Sequence, residues 1–168
     1  MRWSRACGFL VVATLVLPAS GARGQTQVRF PDRPGEREFI LDEAGLLTPE
    51  DREEIELIAY ETLKQTAVPI IVVTIDGLRS YGAGFISIEE YARKLFDHWG
   101  IGHPKVRVQH GEISRNLGVL LLVSVKDRKA RIELGADWGH RKDADCREIM
   151  DDHIIASFKQ DDFSGGIL

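Results

Sequence analysis

The chain has 168 residues, 43% of them hydrophobic and 29% charged, which is typical of one globular domain with a hydrophobic core. Its formal net charge is -4, and without the first 24 residues, which hold three arginines and no acid, 19 basic residues stand against 26 acidic ones, a net charge of -7. Nucleic acids bind basic surfaces, so we expect no nucleic-acid partner for this acidic domain.

The first 24 residues have the features of a secretory signal peptide. Two arginines precede an apolar run at Ala6–Leu17, which is too short to cross a bilayer comfortably, and small residues follow it. We expect cleavage after Ala22 or Gly24, a periplasmic or secreted protein, and no transmembrane helix in the mature chain. The alternative is an uncleaved anchor or a buried helix.

Residues 25–38 are polar and include two prolines, a composition typical of a linker, and we predict one domain over residues 39–168. The first half of this domain alternates short apolar runs with helical patterns. Both helices begin at a residue whose side chain can cap the first turn, and acidic residues follow. The predicted elements are a strand at 39–41, a helix from Thr48 to about Gln65, a strand at 69–75 and a helix from Ser87 to Trp99.

A hairpin is the clearest signal in the second half of the domain. Leu117–Val125 is apolar at almost every position, as in a strand buried on both faces, and Ala130–Gly135 alternates, as in a half-buried strand. The short charged turn between them makes the second strand antiparallel to the first. A long polar loop at 103–116 precedes the hairpin, and a helix from about Asp143 to Lys159 follows it.

This order of elements predicts an α/β fold. Strands that alternate with helices form a parallel sheet with helices on its faces, and the hairpin adds one antiparallel strand.

Six short segments follow one another along the chain in a recognisable order: Leu41–Leu47, Glu89–Ala92, Trp99–Gly102, Asn116–Val123, Arg131–Gly135 and Phe158–Ile167. In this order they resemble the TPM domain family, which includes thylakoid-lumen phosphatase-like proteins and secreted bacterial proteins. The resemblance covers about residue 38 to the end and implies a three-layer α/β/α sandwich, in agreement with the element order.

The resemblance implies several functions and does not choose between them. Family members are described as binders of divalent cations, chiefly calcium; some are proposed to be acid phosphatases, and others serve membrane-protein maintenance or act as receptors. Three functions follow for this chain. It is a cation-binding accessory module with a membrane-protein or envelope partner, a metal-dependent phosphatase acting on small phosphate esters, or an interaction domain that has lost its metal site.

The chain departs from the family pattern after the last predicted strand. Relatives carry a Gly-aromatic-Gly-Leu-Glu run there, whereas this chain has Gly-Ala-Asp-Trp-Gly at 135–139. Gly139 stands in place of the glutamate, and Asp137 replaces a glycine. If that glutamate binds metal in relatives, the site here is lost or is rebuilt with Asp137. Relatives also continue with another helix, so we expect the domain as given to lack its last helix.

Two candidate cation ligands, Asp42 and Asp76, come directly after the first two predicted strands. Ligands of open parallel sheets gather outside the carboxyl ends of the strands, and clusters of oxygen atoms suit Ca²⁺ or Mg²⁺. In a phosphatase, Asp42 is also the candidate catalytic residue, as the nucleophile or as a ligand of a metal that activates water. The alternative for both residues is a turn or capping role.

Two further candidate ligands, Asn116 and Asp137, follow from the family resemblance. They flank the start of the third strand and the end of the antiparallel fourth strand, which places them at the edge of the sheet opposite Asp42 and Asp76. One compact site cannot easily hold all four residues. The resemblance favours Asn116 and Asp137, whereas sheet geometry favours Asp42 and Asp76.

Overall fold

A computed structural model describes residues 27–35, 37–102, 105–108, 111–114 and 116–168. The predicted signal peptide at 1–24 lies outside these residues. Within them, none of the helices combines the length and the apolar character that crossing a membrane requires.

The described strands form a central sheet and a separate hairpin. The central sheet has the order β1-β2-β5-β6, in which β1, β2 and β5 are parallel and β6 is antiparallel to β5. This arrangement confirms the predicted α/β fold. In chain order, the strands are β1 (Ile40–Asp42), β2 (Ile70–Ile75), β3 (Lys105–Val108), β4 (Gly111–Ser114), β5 (Val119–Ser124) and β6 (Lys129–Leu134).

The separate hairpin corrects one prediction. Residues 103–116 were expected to form a polar loop, but β3 and β4 pair within it as an antiparallel hairpin, with Val106 opposite Ile113. The sequence of β3 alternates basic and β-branched residues, which suits a strand with one polar face. Because residues 103–116 are largely polar and contain no continuous apolar run, the sequence favoured a loop there.

The longer described helices lie where the helical patterns predict them, whereas two short 3₁₀-helices, Leu78–Tyr81 and Ala136–Trp138, were not predicted. The C-terminal part of the chain also differs from the prediction. A π-helix at Ile149–Ile154 interrupts the single helix expected from Asp143, and the last short helix was not predicted. Both expected caps are confirmed, because Thr48 accepts the Asp51 N–H and Ser87 accepts the Glu90 N–H. The helices are α1 (Pro49–Thr66), α2 (Ile88–Trp99), α3 (Asp143–Glu148), α4 (Ile155–Phe158) and α5 (Phe163–Ile167).

Hydrophobic cores lie on both faces of the central sheet. Because successive strand residues point to opposite faces, Val73 and Leu122 pack toward α2, while Val72 and Leu121 pack toward α1 and the C-terminal helices. This double burial explains why β2 and β5 are apolar at every position except Thr74 and Ser124, which are themselves buried.

Part of the segment predicted as a linker lies along α2. The indole N–H of Trp99 donates to the Pro31 carbonyl (3.1 Å), and the Tyr91 hydroxyl donates to the Arg29 carbonyl (3.0 Å). Arg33 in turn donates to the Trp99 carbonyl (2.7 Å). These bonds satisfy the polar atoms of two large aromatic side chains that are buried in the α2 core.

Candidate functional site

Asp42 ends β1, and its side chain is almost fully buried, with 4% of it exposed. Its Oδ1 accepts the Leu46 N–H (3.0 Å) and a short bond from the Thr74 hydroxyl, and its Oδ2 accepts the Leu47 N–H (3.1 Å). The carboxylate therefore closes the loop between β1 and α1 and ties it to β2.

The surroundings of Asp42 keep it ionised. Burial raises the pKa of this carboxyl, but the bonds from Thr74, Leu46 and Leu47, together with the Arg52 charge, outweigh burial and hold the pKa below its usual value. The Arg52 guanidinium lies 3.7 Å from Oδ2. In this structure, Asp42 has the contacts of a loop-capping residue.

Asp76 lies beyond the end of β2 and is exposed. Its Oδ2 pairs with Lys126 Nζ at 2.6 Å, and its carbonyl accepts the Lys126 N–H (2.7 Å). Within the described residues, no hydrogen bond or ion pair joins the carboxylates of Asp42 and Asp76. The two acids share the carboxyl end of the sheet without forming one site.

A cleft of about 400 Å³ at this end of the sheet contains an acid that the sequence analysis missed. Glu43 follows Asp42 and points to the opposite face, where its carboxylate accepts a short bond from the Tyr81 hydroxyl. The period of two along β1 is the signal that separates these adjacent acids. The cleft is lined by Arg29, Phe30, Glu43, Asp76, Ser80 and Tyr81.

Burial and the Glu43 carboxylate keep the Tyr81 hydroxyl protonated. Burial raises the pKa of Tyr81 most, and the hydrogen bond and charge of Glu43 raise it further; the Arg29 charge lowers it, and the Asp76 charge adds a still smaller increase. Arg29 also donates to the Ser80 carbonyl (2.9 Å). Tyr81 is thus a hydrogen-bond donor in the cleft.

Asp127, in the turn between β5 and β6, also has a defined structural role. Its Oδ2 accepts the Leu78 N–H (2.7 Å) and the Ser124 hydroxyl (2.6 Å). These two bonds lower the pKa of the Asp127 carboxyl, and burial opposes them weakly. The bonds connect the hairpin turn to the chain that follows β2.

Asn116 and Asp137 meet at the opposite edge of the sheet, as their sequence positions predict. The Asn116 N–H donates to Asp137 Oδ2 (2.7 Å), and the Asp137 N–H donates to the Asn116 carbonyl (3.0 Å). The indole N–H of Trp138 donates to the Leu117 carbonyl (2.7 Å). These contacts fasten the loop after β6 to the chain that enters β5.

Close backbone packing explains the glycines of this edge. A Cβ on Gly135 would lie 2.2 Å from Asn116 Oδ1, and a Cβ on Gly102 would lie 2.1 Å from the Gly118 nitrogen. Gly139, at the position of the family glutamate, has φ +54 and open space around it. Several glycines in the segments that resemble the family therefore permit tight packing.

The four predicted ligands do not form one metal site. Asp42 and Asp76 lie at one end of the sheet, Asn116 and Asp137 lie at the other, and both pairs bond to nearby protein groups. In the part of the chain that the structure describes, no group of three or more His, Cys, Asp or Glu side chains is placed to hold a metal ion together. A cation role for either pair by itself stays a prediction.

Comparisons with known proteins identify one matching family and solved structures with a similar fold. The family model described as TPM domain matches residues 40–168. The N-terminal domain of a protein from P. gingivalis, solved by NMR, is similar at 26% identity, with a TM-score of 0.62 over 78% of this chain and 75% of that one. The N-terminal domain of the cg2496 protein from Corynebacterium glutamicum shares the fold at 13% identity, with a TM-score of 0.56 over 84% and 80%. The curated proteins contain no match.

Proposed function

The chain belongs to the TPM domain family, and on that basis we propose that it is a non-catalytic accessory module of the cell envelope that binds a divalent cation, with Ca²⁺ as the first candidate. Its signal-like N-terminus supports a periplasmic or secreted location and an envelope or membrane-protein partner. The family alone does not decide the function, so the argument depends on the acidic residues.

The cleft beside Tyr81 carries the cation proposal. Glu43 and Asp76 line it at the carboxyl end of the sheet, where ligands of α/β folds gather. The Tyr81 bond engages Oε2 of Glu43, and the Lys126 pair engages Oδ2 of Asp76, so each contact uses one oxygen of its carboxylate. Two carboxylates with water as the remaining ligands suit weak binding of Ca²⁺, in the millimolar range of extracellular sites.

Asp42 supports this site indirectly. Its carboxylate holds Leu46 and Leu47, and so fixes the loop that begins with Glu43. We assign Asp42 to loop closure and leave cation contact to the more accessible pair in the cleft.

Thermal unfolding with added Ca²⁺ tests the proposal. A site with a dissociation constant of about 1 mM stabilises the domain by about 1.4 kcal/mol at about 10 mM Ca²⁺, which raises Tm by a few degrees. We expect the double variant Glu43→Gln, Asp76→Asn to lose this response. The matched control, Asp137→Asn at the other edge, should keep it. A wild-type Tm that does not respond at about 10 mM Ca²⁺ or Mg²⁺ would contradict cation binding and leave the interaction domain as the better hypothesis.

The contacts of Asp42 favour the accessory role over a phosphatase. A nucleophile must reach its substrate, and this carboxylate is 4% exposed and bonded to loop and strand. We expect no metal-dependent turnover of a chromogenic phosphate ester. Turnover that Asp42→Asn abolishes in a variant with native circular dichroism would overturn this choice.

A further inference from the structure

β6 lies at one side of the described central sheet, and its outer edge has no neighbouring strand among the described residues. The N–H groups of Val119 and Val125 donate to the β2 side, to Pro69 and Ile75, and Gly135 donates to Gly118. Backbone groups alternate sides along a strand, so the N–H and C=O groups of Arg131 and Glu133 face β5. The N–H and C=O groups of Ala130, Ile132 and Leu134 therefore point outward.

A groove of about 610 Å³ follows this edge. Consecutive residues 130–136 line its floor, Glu89 of α2 lies on one side, and Cys146 and Met150 lie on the other. Among the described residues, none bonds to the outward backbone groups of β6. An edge of this kind can accept another strand.

We propose that the β6 edge pairs with the same edge of a second copy of this chain, antiparallel about a two-fold axis that passes through Ile132. The two central sheets then form one continuous sheet across an isologous interface. The proposal is independent of cation binding, because the Tyr81 cleft shares no lining residue with this groove.

The backbone of β6 suits this register. With Ile132 opposite Ile132 of the second copy, Ala130 lies opposite Leu134 of the second copy, and the reverse pair forms by symmetry. All of these residues have outward backbone groups, so each pair exchanges two hydrogen bonds.

Charge complementarity selects a second copy as the occupant. In this register, Arg131 lies opposite Glu133 of the second copy, and this contact occurs twice. Sliding the strands by two residues, the smallest shift that keeps outward backbone groups opposite each other, places Arg131 opposite Arg131 or Glu133 opposite Glu133, and like charges directly opposite each other destabilise a sheet. The Ile132 register therefore gives both charged side chains an opposite charge across the interface.

The same charges stabilise the separate chain. Arg131 Nη2 lies 3.1 Å from Glu133 Oε2 within one strand, and the two side chains are 43% and 15% exposed. On pairing, each charge exchanges a partner on its own strand for one on the second copy. Neither charge is left alone in the separate chain or in the dimer, which suits reversible association.

Charge-reversal variants of the full chain test the proposal. We expect sedimentation velocity to show a concentration-dependent dimer, and Arg131→Glu alone or Glu133→Arg alone to weaken dimerisation at least about tenfold, since each creates two like-charge contacts. The double variant Arg131→Glu, Glu133→Arg again places opposite charges across the interface and should dimerise. An equimolar mixture of the two single variants should form a mixed dimer, because their charges are complementary.

Hydrogen exchange provides a site-specific readout. The Ala130, Ile132 and Leu134 amides should become more protected as the protein concentration rises, whereas the Arg131 amide, already facing β5, should not change. A monomer at every concentration up to about 1 mM, or single variants that dimerise like the wild type while folding normally, would overturn the proposal. The proposal would also be overturned if the Ala130, Ile132 and Leu134 amides became protected only after an unrelated extended peptide is added.

Discussion

Replacing Asp42 should destabilise the fold strongly, although this residue was a candidate for chemistry. Asp42→Ala removes the acceptor of two backbone N–H groups and of the Thr74 hydroxyl, and Thr74 is fully buried. These donors cannot all reach water, so the variant bears the cost of leaving them without their bonds.

The expected magnitude follows from these contacts. A hydrogen bond to a charged group stabilises a protein by about 1.5–3 kcal/mol, and bonds that share one acceptor are less than additive. We expect Asp42→Ala to lower the free energy of unfolding by about 3–4 kcal/mol, which corresponds to about 10 °C in Tm. Asp42→Asn keeps the shape and one acceptor oxygen, so we expect it to cost about 2 kcal/mol.

The pH dependence has a definite sign. The folded pKa of Asp42 lies below its usual value, so the folded state favours the ionised form. Its contribution to stability is complete above the unfolded pKa of about 3.9 and is lost as the pH falls through the lower folded pKa. The stability gap between the wild type and Asp42→Asn should therefore be constant from pH 7 to pH 5 and shrink below about pH 4.

Urea unfolding followed by tryptophan fluorescence measures these differences. Asp76→Asn is the matched control, because Asp76 is 58% exposed and its pair with Lys126 should contribute less than about 1 kcal/mol. If Asp42→Ala costs no more than this control, or if the gap to Asp42→Asn persists unchanged at pH 3, the loop-closing role of Asp42 is wrong.

Two further substitutions test the packing of the sheet edge and of the last helix. Gly135→Ala should lower the free energy of unfolding by at least about 2 kcal/mol, because its Cβ would overlap Asn116. Gly139→Ala meets open space and should lower it by about 1 kcal/mol, because Gly139 has a positive φ. Equal costs would contradict the steric explanation. Ser164→Ala should lower the free energy of unfolding by about 1–2 kcal/mol in urea, since the Ser164 hydroxyl donates to Asp51 and accepts the Thr48 N–H (2.9 Å). As a control, Ser80→Ala at an exposed position should change it by less than about 0.5 kcal/mol.

Local patterns were sufficient to predict most of the fold. The apolar runs of β2 and β5 indicate strands buried on both faces, and the structure gives each a helical layer on either side. Thr48 and Ser87 marked the starts of α1 and α2, because capping depends on residues within one turn. The β3–β4 hairpin was missed, since a short strand without a continuous apolar run resembles a loop.

The candidate site was less predictable. Topology correctly placed Asp42 and Asp76 at one edge and brought Asn116 to Asp137 at the other. It did not reveal that Thr74, Leu46 and Leu47 would occupy the Asp42 carboxylate. Leu46 and Leu47 lie within five residues of Asp42, as the capping alternative requires, but Thr74 comes from a strand 32 residues away, and no local pattern encodes that contact.

Hydrophobic periodicity, caps and turn residues thus determine the element order of this chain, because each acts over a few residues. The six segments that resemble the family were also sufficient to identify it, since they match by residue type and order. Tertiary structure decided which acids are buried and which are accessible. Asp42 and Glu43 are adjacent in sequence, yet the alternation of β1 sends the first to Thr74 and the second to the Tyr81 cleft. The position of β6 at the side of the described sheet likewise depends on the strand order, which only the assembled sheet defines.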